Sequence, residues 1–187
     1  MSLGCWSDMK TQIIQKAFDN LTPGGFFEAQ EALCVPDCDD GTLPPDSAWM
    51  TWIREVGAAS DEADRQLCVG PELKRWMEEV GFEDVHESVF KLPMNGWPKE
   101  PRLKHIGELW QRNLLNGLSG FSLALLHRIN GRTMEDIEVS VPLCLLRGMC
   151  DADFMQLQLV DVRRELFDQS IHAYQKFYVV WGRKPES

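Results

Sequence analysis

Two histidines, His105 and His172, and the neighbouring pair Gln30 and Glu31 are the side chains of this sequence best suited to move a proton or to hydrogen-bond a developing charge. Trp49, Trp52, Trp97 and Trp110, with His86, Asn113 and Tyr174, supply the flat apolar walls and the few donors that line a pocket for an apolar ligand. Each of these residues also has a plain structural reading. The tryptophans and Tyr174 can be core, His86 a half-buried hydrogen-bonded histidine, and Glu31 a solvated carboxylate. Six cysteines, at positions 5, 34, 38, 68, 144 and 150, form no CxxC pair and have no histidine at ligand spacing. No metal site is therefore expected, and the thiols read as free. Cys34 and Cys38, which flank Val-Pro-Asp, are the pair to test for oxidation.

The elements that must position these groups follow from periodicity and punctuation. A helix over 7–20 is stopped by Thr22-Pro23-Gly24-Gly25, where proline lacks the amide that would continue it. An apolar strand over 25–32 follows, then an Asp/Gly/Pro-rich loop over 34–45. Pro45-Asp46-Ser47 opens a helix that carries Trp49, Trp52, Ile53 and Val56 on one face to about Ala59. Gly70-Pro71 opens another, with Leu73, Trp76, Met77 and Val80 as its buried stripe, closed by Gly81. A strand over 82–92 and a Pro/Gly loop containing Trp97 lead into a long helical segment from Leu103 to about Asn130. Gly117, Ser119 and Gly120 are expected to kink or break it. A further helix starts at Thr133 and another covers 159–167. The last strand, over 172–183, is apolar on both faces, as a central strand is.

Length and charge set the outer bounds. With 187 residues and 44% apolar composition the chain is expected to form a single domain, 1–187. A net charge of −10 and a pI near 4.8, with scattered basic residues, exclude a nucleic-acid or anionic-membrane surface. No stretch has the roughly 18 apolar residues of a spanning helix. A cytoplasmic protein is expected, with the nucleus as the alternative if its role is regulatory.

The helix, the Pro-Gly-Gly stop and the acidic-ended strand resemble the fifth-strand region of class I S-adenosylmethionine-dependent methyltransferases. Three stretches narrow the resemblance: DDGTLPPDS at 39–47, LKRWMEEVGFEDVHESVFKLPMNGWPK at 73–99 and IHAYQKFYVVWGRKP at 171–185. Together they are similar to the LaeA-like methyltransferases of filamentous fungi, a family tied to secondary metabolism. The resemblance covers nearly the whole chain except an atypical insert at 141–158, which reads either as an unspliced intron or as a lid.

This resemblance implies an α+β fold, a remnant of the Rossmann-like methyltransferase fold. It has a small mixed three-stranded sheet with strands near 25–32, 82–92 and 172–183, the last lying between the other two. In the family, a glycine-rich turn after the first strand and an acidic residue after the second hold the cofactor. The twenty residues before Leu21 are too few for these, so the chain is expected to lack the N-terminal cofactor-binding half and to hold no cofactor on its own. The expected function is a cofactor-independent enzyme of natural-product metabolism that binds a small apolar, polyketide- or terpenoid-like intermediate and promotes its cyclisation or pericyclic rearrangement. The alternatives are a methyltransferase fragment completed by a separate half, and a regulatory binding module without chemistry. The strand over 26–32, deprived of a neighbour, is expected to pair with a second copy or with another protein.

Overall fold

The computed structural model describes residues 6–122, 125–126 and 159–186. The helix expected from Thr133 and the insert at 141–158 lie outside the described residues. The chain divides into two compact units: Met1–Pro36 with Asp64–Lys91 and Gln175–Ser187, and Asp37–Ala63 with Leu92–Tyr174.

The first unit is a three-stranded sheet with helices on one face. A π-helical turn, Lys10–Gln15, runs into α1, Lys16–Asn20. The Pro-Gly-Gly stop then reverses the chain, with Gly24 at φ 78°, a conformation that only glycine adopts freely. What satisfies the end of α1 is Lys184. Its Nζ donates to Phe18 O at 2.7 Å and Leu21 O at 2.8 Å, and it stands 5.0 Å over the Phe18 ring. A cation therefore sits where the helix dipole is negative and the last carbonyls lack partners.

β1 is Phe26–Ala32, β2 Glu83–Pro93 and β3 Tyr174–Arg183. Their order, β1-β3-β2, is the one expected from the sequence. β1 pairs antiparallel with β3, from Phe26 opposite Arg183 to Ala32 opposite Phe177. β2 opposes β3 as well, with Glu83 O beside Gly182 and Met94 N donating to Ala173 O. The sheet is antiparallel rather than mixed. Both outer strands run the same way, and with β3 between them neither has a parallel neighbour.

Alternation along β3 sends Val180 into the core and leaves Phe177, Val179 and Trp181 half-buried. Val180 meets Ala29 of β1, Met9 and Ile14 of the first turns, and Leu73, Trp76 and Met77 of α3, Leu73–Val80. Gly81, at φ 111°, ends α3 in the left-handed cap that the sequence predicts. On the other face Trp181 lies between Phe26, 5.9 Å away, and His86, stacked at 4.4 Å.

The second unit is helical. α2, Ala48–Glu62, is N-capped by Ser47, which accepts from Met50 N at 3.1 Å. The Glu165 carboxylate, from α5 (Leu159–Phe167), accepts from Ala48 N and Trp49 N at 2.7 and 2.8 Å. Two first-turn amides and the positive end of the dipole thus meet one anion. Trp49 and Trp52 are buried on α2, their rings 4.8 Å apart, and Trp52 Nε1 donates to Ser122 Oγ at 2.9 Å.

Ser122 ends α4, Pro101–Ser122, which is continuous through Gly117 and Gly120. The expected break is absent because an isolated glycine costs a helix only about 1 kcal/mol, which tertiary packing offsets. The glycine that matters is Gly107, where the helix backbone presses on the Pro/Gly loop. An added Cβ would lie 2.0 Å from Asn95 O. Among the described residues no helix is long and apolar enough to cross a membrane.

Gly107→Ala is expected to destabilise the protein by about 1–3 kcal/mol despite alanine's better helix propensity. Gly120→Ala, where nothing lies within 4 Å of the new methyl, is expected to stabilise it by up to about 1 kcal/mol. Chemical denaturation of the two variants checks both signs, and equal effects would contradict the close approach at Gly107.

Candidate functional site

The Asp-rich loop between β1 and α2 is folded around one carboxylate. Asp40 Oδ1 accepts from Thr42 Oγ1 at 2.8 Å, from Thr42 N at 3.1 Å and from the Cys38 thiol at 3.1 Å. Gly41, at φ 73°, allows the tight reversal. The loop's outward groups then hold the entry of β3. Asp37 and Tyr174 form an isolated antiparallel bridge, and Tyr174 Oη donates to Asp39 Oδ1 at 2.7 Å. His172 N donates to Thr42 Oγ1 at 2.8 Å, and the imidazole Nδ1 lies 2.5 Å from Asp40 Oδ2.

The third contributor is the loop after β2. Asn95 Oδ1 accepts from Trp97 N and Asn95 Nδ2 donates to Asp168 O, both at 2.9 Å. Trp97 Nε1 donates to Ala173 O at 3.0 Å, which sets its ring 4.9 Å from that of His172. Three stretches distant in sequence thus meet on one imidazole.

The electrostatics fix the roles. Hydrogen bonds from His172 first, then Cys38 and Thr42, hold the Asp40 carboxyl well below the usual carboxylate range. An ionised Asp40 can only accept, so Nδ1 is the ring nitrogen that donates to it, and in the neutral imidazole Nε2 is then the nitrogen with the free lone pair. The His172 side chain is 39% exposed, and no described residue bonds to Nε2. A carboxylate holding one imidazole nitrogen while the other has no described partner is an arrangement that can serve a general base.

Beside this dyad a crevice is lined by Leu43, Trp49, Met94, Asn95, Leu166 and Ile171. Its cavity of about 10 Å³ has room for roughly one water molecule. Among the described residues no three His, Cys, Asp or Glu side chains are grouped as metal ligands.

The remaining residues singled out from the sequence are dispersed. Gln30 is exposed and donates to Glu28 Oε1 at 2.6 Å. Glu31 is buried within the first unit, and His86 of that unit is exposed against Trp181. His105 stands on the solvent side of α4, 72% exposed, with Glu108 Oε2 at 3.9 Å. On the same helix Trp110 is half-buried and Asn113 exposed. The described cysteines, Cys34, Cys38 and Cys68, are free thiols, as expected. Cys38 is bound to Asp40, whereas the buried Cys34 thiol donates toward Leu67 O at 3.9 Å and pairs with Cys68. That pairing, with burial and the charge of Glu31, pushes the Cys34 thiol far up.

No family model matches the chain. Over 174 residues, 93% of its length, it is 32% identical to the methyltransferase pytC of Aspergillus terreus. It is also 32% identical, over 175 residues, to the probable methyltransferase tdiE of Emericella nidulans. The secondary metabolism regulator LAE1 of Cochliobolus heterostrophus is 31% identical over 176 residues. These matches cover 48%, 49% and 52% of the respective relatives, so the chain spans about half the length of the curated relatives it matches. The chain is a homologue of the C-terminal part of the LaeA-like fungal methyltransferases.

The stretches that carry the LaeA-like resemblance are those that build the dyad. Asp39, Asp40 and Thr42 come from the first, Asn95 and Trp97 from the second, and His172 and Tyr174 from the third. Sequence reasoning chose His172, Trp97 and Tyr174 but passed over Asp39 and Asp40 as loop composition. The available signal was the Asp-Asp-Gly-Thr run, whose side chains are the turn-forming acceptors of a tight loop.

Asp40's depressed pKa makes the loop clamp a contribution that is complete at neutral pH and lost as pH falls through the folded-state value. The clamp is therefore expected to persist through about pH 4, where an ordinary aspartate takes up its proton, and to open only below it. Carboxyl carbon NMR of Asp40 reads this directly, and a midpoint near 4 would contradict the geometry.

Proposed function

We propose that this chain supplies the acceptor side of a secondary-metabolism enzyme, with His172 as general base, Asp40 as the group that orients it and Trp97 as the stacking surface for an apolar polyketide- or terpenoid-like intermediate. The observation that carries the reading is the Asp40–His172 pair, which leaves Nε2 open beside an aromatic ring. The names of the relatives, methyltransferases and secondary metabolism regulators, support the setting.

In this reading a C–H or O–H proton passes from the acceptor to Nε2. The electron pair left behind attacks an electrophilic carbon of the same molecule and closes a ring, and the imidazolium returns its proton to the oxygen that has become alkoxide. A pericyclic rearrangement would use the same two side chains only to hydrogen-bond and stack the reactant.

The described residues do not fit a sulfonium nucleotide. Such a site needs a parallel strand ending in a glycine turn at a helix N-terminus. Here the described strands are antiparallel, and Gly24 and Gly25 precede β1 rather than follow a strand. No step is therefore routed through that cofactor. A second reading has one specific observation in its favour, the methyltransferase names of proteins about twice this length. In it the same proton removal prepares an acceptor for a methyl group held elsewhere.

The test is disruption of the gene, metabolite profiling, and complementation with the full chain. His172→Gln and Asp40→Asn are expected to leave the intermediate accumulated, with product formation down about 10²-fold or more, whereas His105→Ala restores it. An uncyclised intermediate identifies cyclisation, and an unmethylated one the second reading. Full complementation by a folded His172→Gln variant would overturn the base assignment. Loss of many unrelated metabolites at once would favour a regulatory module.

A further inference from the structure

Away from the Asp40–His172 dyad, the first unit brings two sulfurs together. Cys34 follows β1, and Cys68 precedes the short turn Gly70–Glu72 that leads into α3. The chain leaves this unit after Pro36 and re-enters it at Asp64, so the two cysteines stand just inside the exit and the return. The Cys34 sulfur lies 3.9 Å from Leu67 O, the carbonyl next to Cys68, and hydrogen-bonds the Cys68 side chain. Both flanks of the contact are anchored. Leu33 N donates to Lys176 O and Gln175 Nε2 to Cys34 O, which fixes Cys34 to β3. On the other flank Gln66 N donates to Trp6 O, and Leu67 and Val69, on either side of Cys68, are buried.

The two thiols differ in the way a redox pair requires. Cys34 is 8% exposed, whereas Cys68 is exposed in this chain. Hydrogen bonding to Cys68, burial and the negative charge that Cys68 carries once ionised all hold the proton on Cys34. Cys68 is therefore the first of the two to become a thiolate, and the thiolate is the nucleophile. Cys38 is occupied elsewhere, its sulfur 3.1 Å from Asp40 Oδ1 and 3.3 Å from Thr42 Oγ1.

We propose that Cys34 and Cys68 form a reversible disulfide when the protein meets a small peroxide, with Cys68 as the attacking sulfur and Cys34 as the resolving one. The Cys68 thiolate attacks one peroxide oxygen; an S–O bond forms, the O–O bond breaks, and the departing hydroxide takes up a proton to become water. The Cys34 sulfur then attacks the sulfenic sulfur, so that an S–S bond forms and the S–O bond breaks. The proton from Cys34 leaves with the second hydroxide as water. One electron pair has passed from the two thiols to the peroxide. A dithiol reductant reverses the step by exchange and itself becomes the disulfide. Both sulfurs belong to the first unit, so the pairing needs no second copy and is independent of the role assigned to His172.

The reduced full chain, treated with hydrogen peroxide and mapped by peptide mass spectrometry without reduction, provides the test. The expected product is an intramolecular Cys34–Cys68 linkage that dithiothreitol removes, with a denaturant midpoint that rises on oxidation and falls back on reduction. Cys68→Ser is expected to slow the loss of the Cys34 thiol by about tenfold or more, because the buried sulfur must then react alone. In Cys34→Ser the sulfenic acid has no resolving thiol, so dimedone is expected to label Cys68 there and not in the wild type. Cys38→Ser is expected to leave the linkage in place. Circular dichroism verifies that each variant is folded. An oxidised wild type without the linkage, one in which Cys34 or Cys68 is joined mainly to another cysteine, or a Cys34 thiol lost equally fast in Cys68→Ser would overturn the pairing.

Discussion

An ionised carboxylate at the tip of a short loop must find donors, and around Asp40 that requirement organises the candidate site. One oxygen gathers Thr42 and Cys38, which closes the loop on itself. The other is left for an imidazole that arrives from 132 positions further along the chain. Asp39 makes the same demand on the Tyr174 hydroxyl. Because both acceptors are on the loop and both donors at the entry of β3, the loop and the strand entry fix each other. The His172 tautomer follows from that arrangement, since a carboxylate held ionised cannot donate.

Lys184 plays the corresponding part in the first unit. The Pro-Gly-Gly stop ends α1 abruptly and leaves its last carbonyls without the amides that a longer helix would supply. The ammonium at the far end of β3 takes the carbonyls of Phe18 and Leu21. Val180 buries the strand between β1 and the helices, so the end of β3 is tied down by packing as well as by charge. The Gly-Arg-Lys-Pro tail and the Pro-Gly-Gly stop, far apart in sequence, are thus two halves of one helix cap.

Periodicity revealed most of this architecture because each element has one buried face. The three strands begin and end within two residues of their expected bounds, and α2 and α3 bury the side chains that the 3.6 period selects. The errors have physical reasons. Gly117 and Gly120 were expected to kink or break α4 on propensity alone, and the helix is unbroken through them. Gly107, which drew no notice, is where the helix requires the absence of a side chain. The site was half legible. Histidine and tryptophan stand out by type, but a carboxylate's role depends on what faces it, and nothing in an Asp-rich loop tells which aspartate meets an imidazole from the other end of the chain. The same limit applies to Cys34, whose neighbour is Cys68 rather than the cysteine closest in sequence.

Under the proposed function, the partial exposure of His172 bears on what an acceptor would have to be. A base in contact with water moves protons, but the charge that develops on the substrate is stabilised more strongly once water is displaced. The neighbouring crevice is too small to provide that enclosure, so the acceptor itself must. A flat apolar body laid on Trp97, whose own N–H is occupied by Ala173 O, would exclude solvent from the ring side while its acidic group meets Nε2. A polar acceptor would keep its water and gain little. In the proposed role, an open, aromatic-backed dyad of this kind would favour apolar, conjugated substrates through the physics of desolvation, before any specific contact is made.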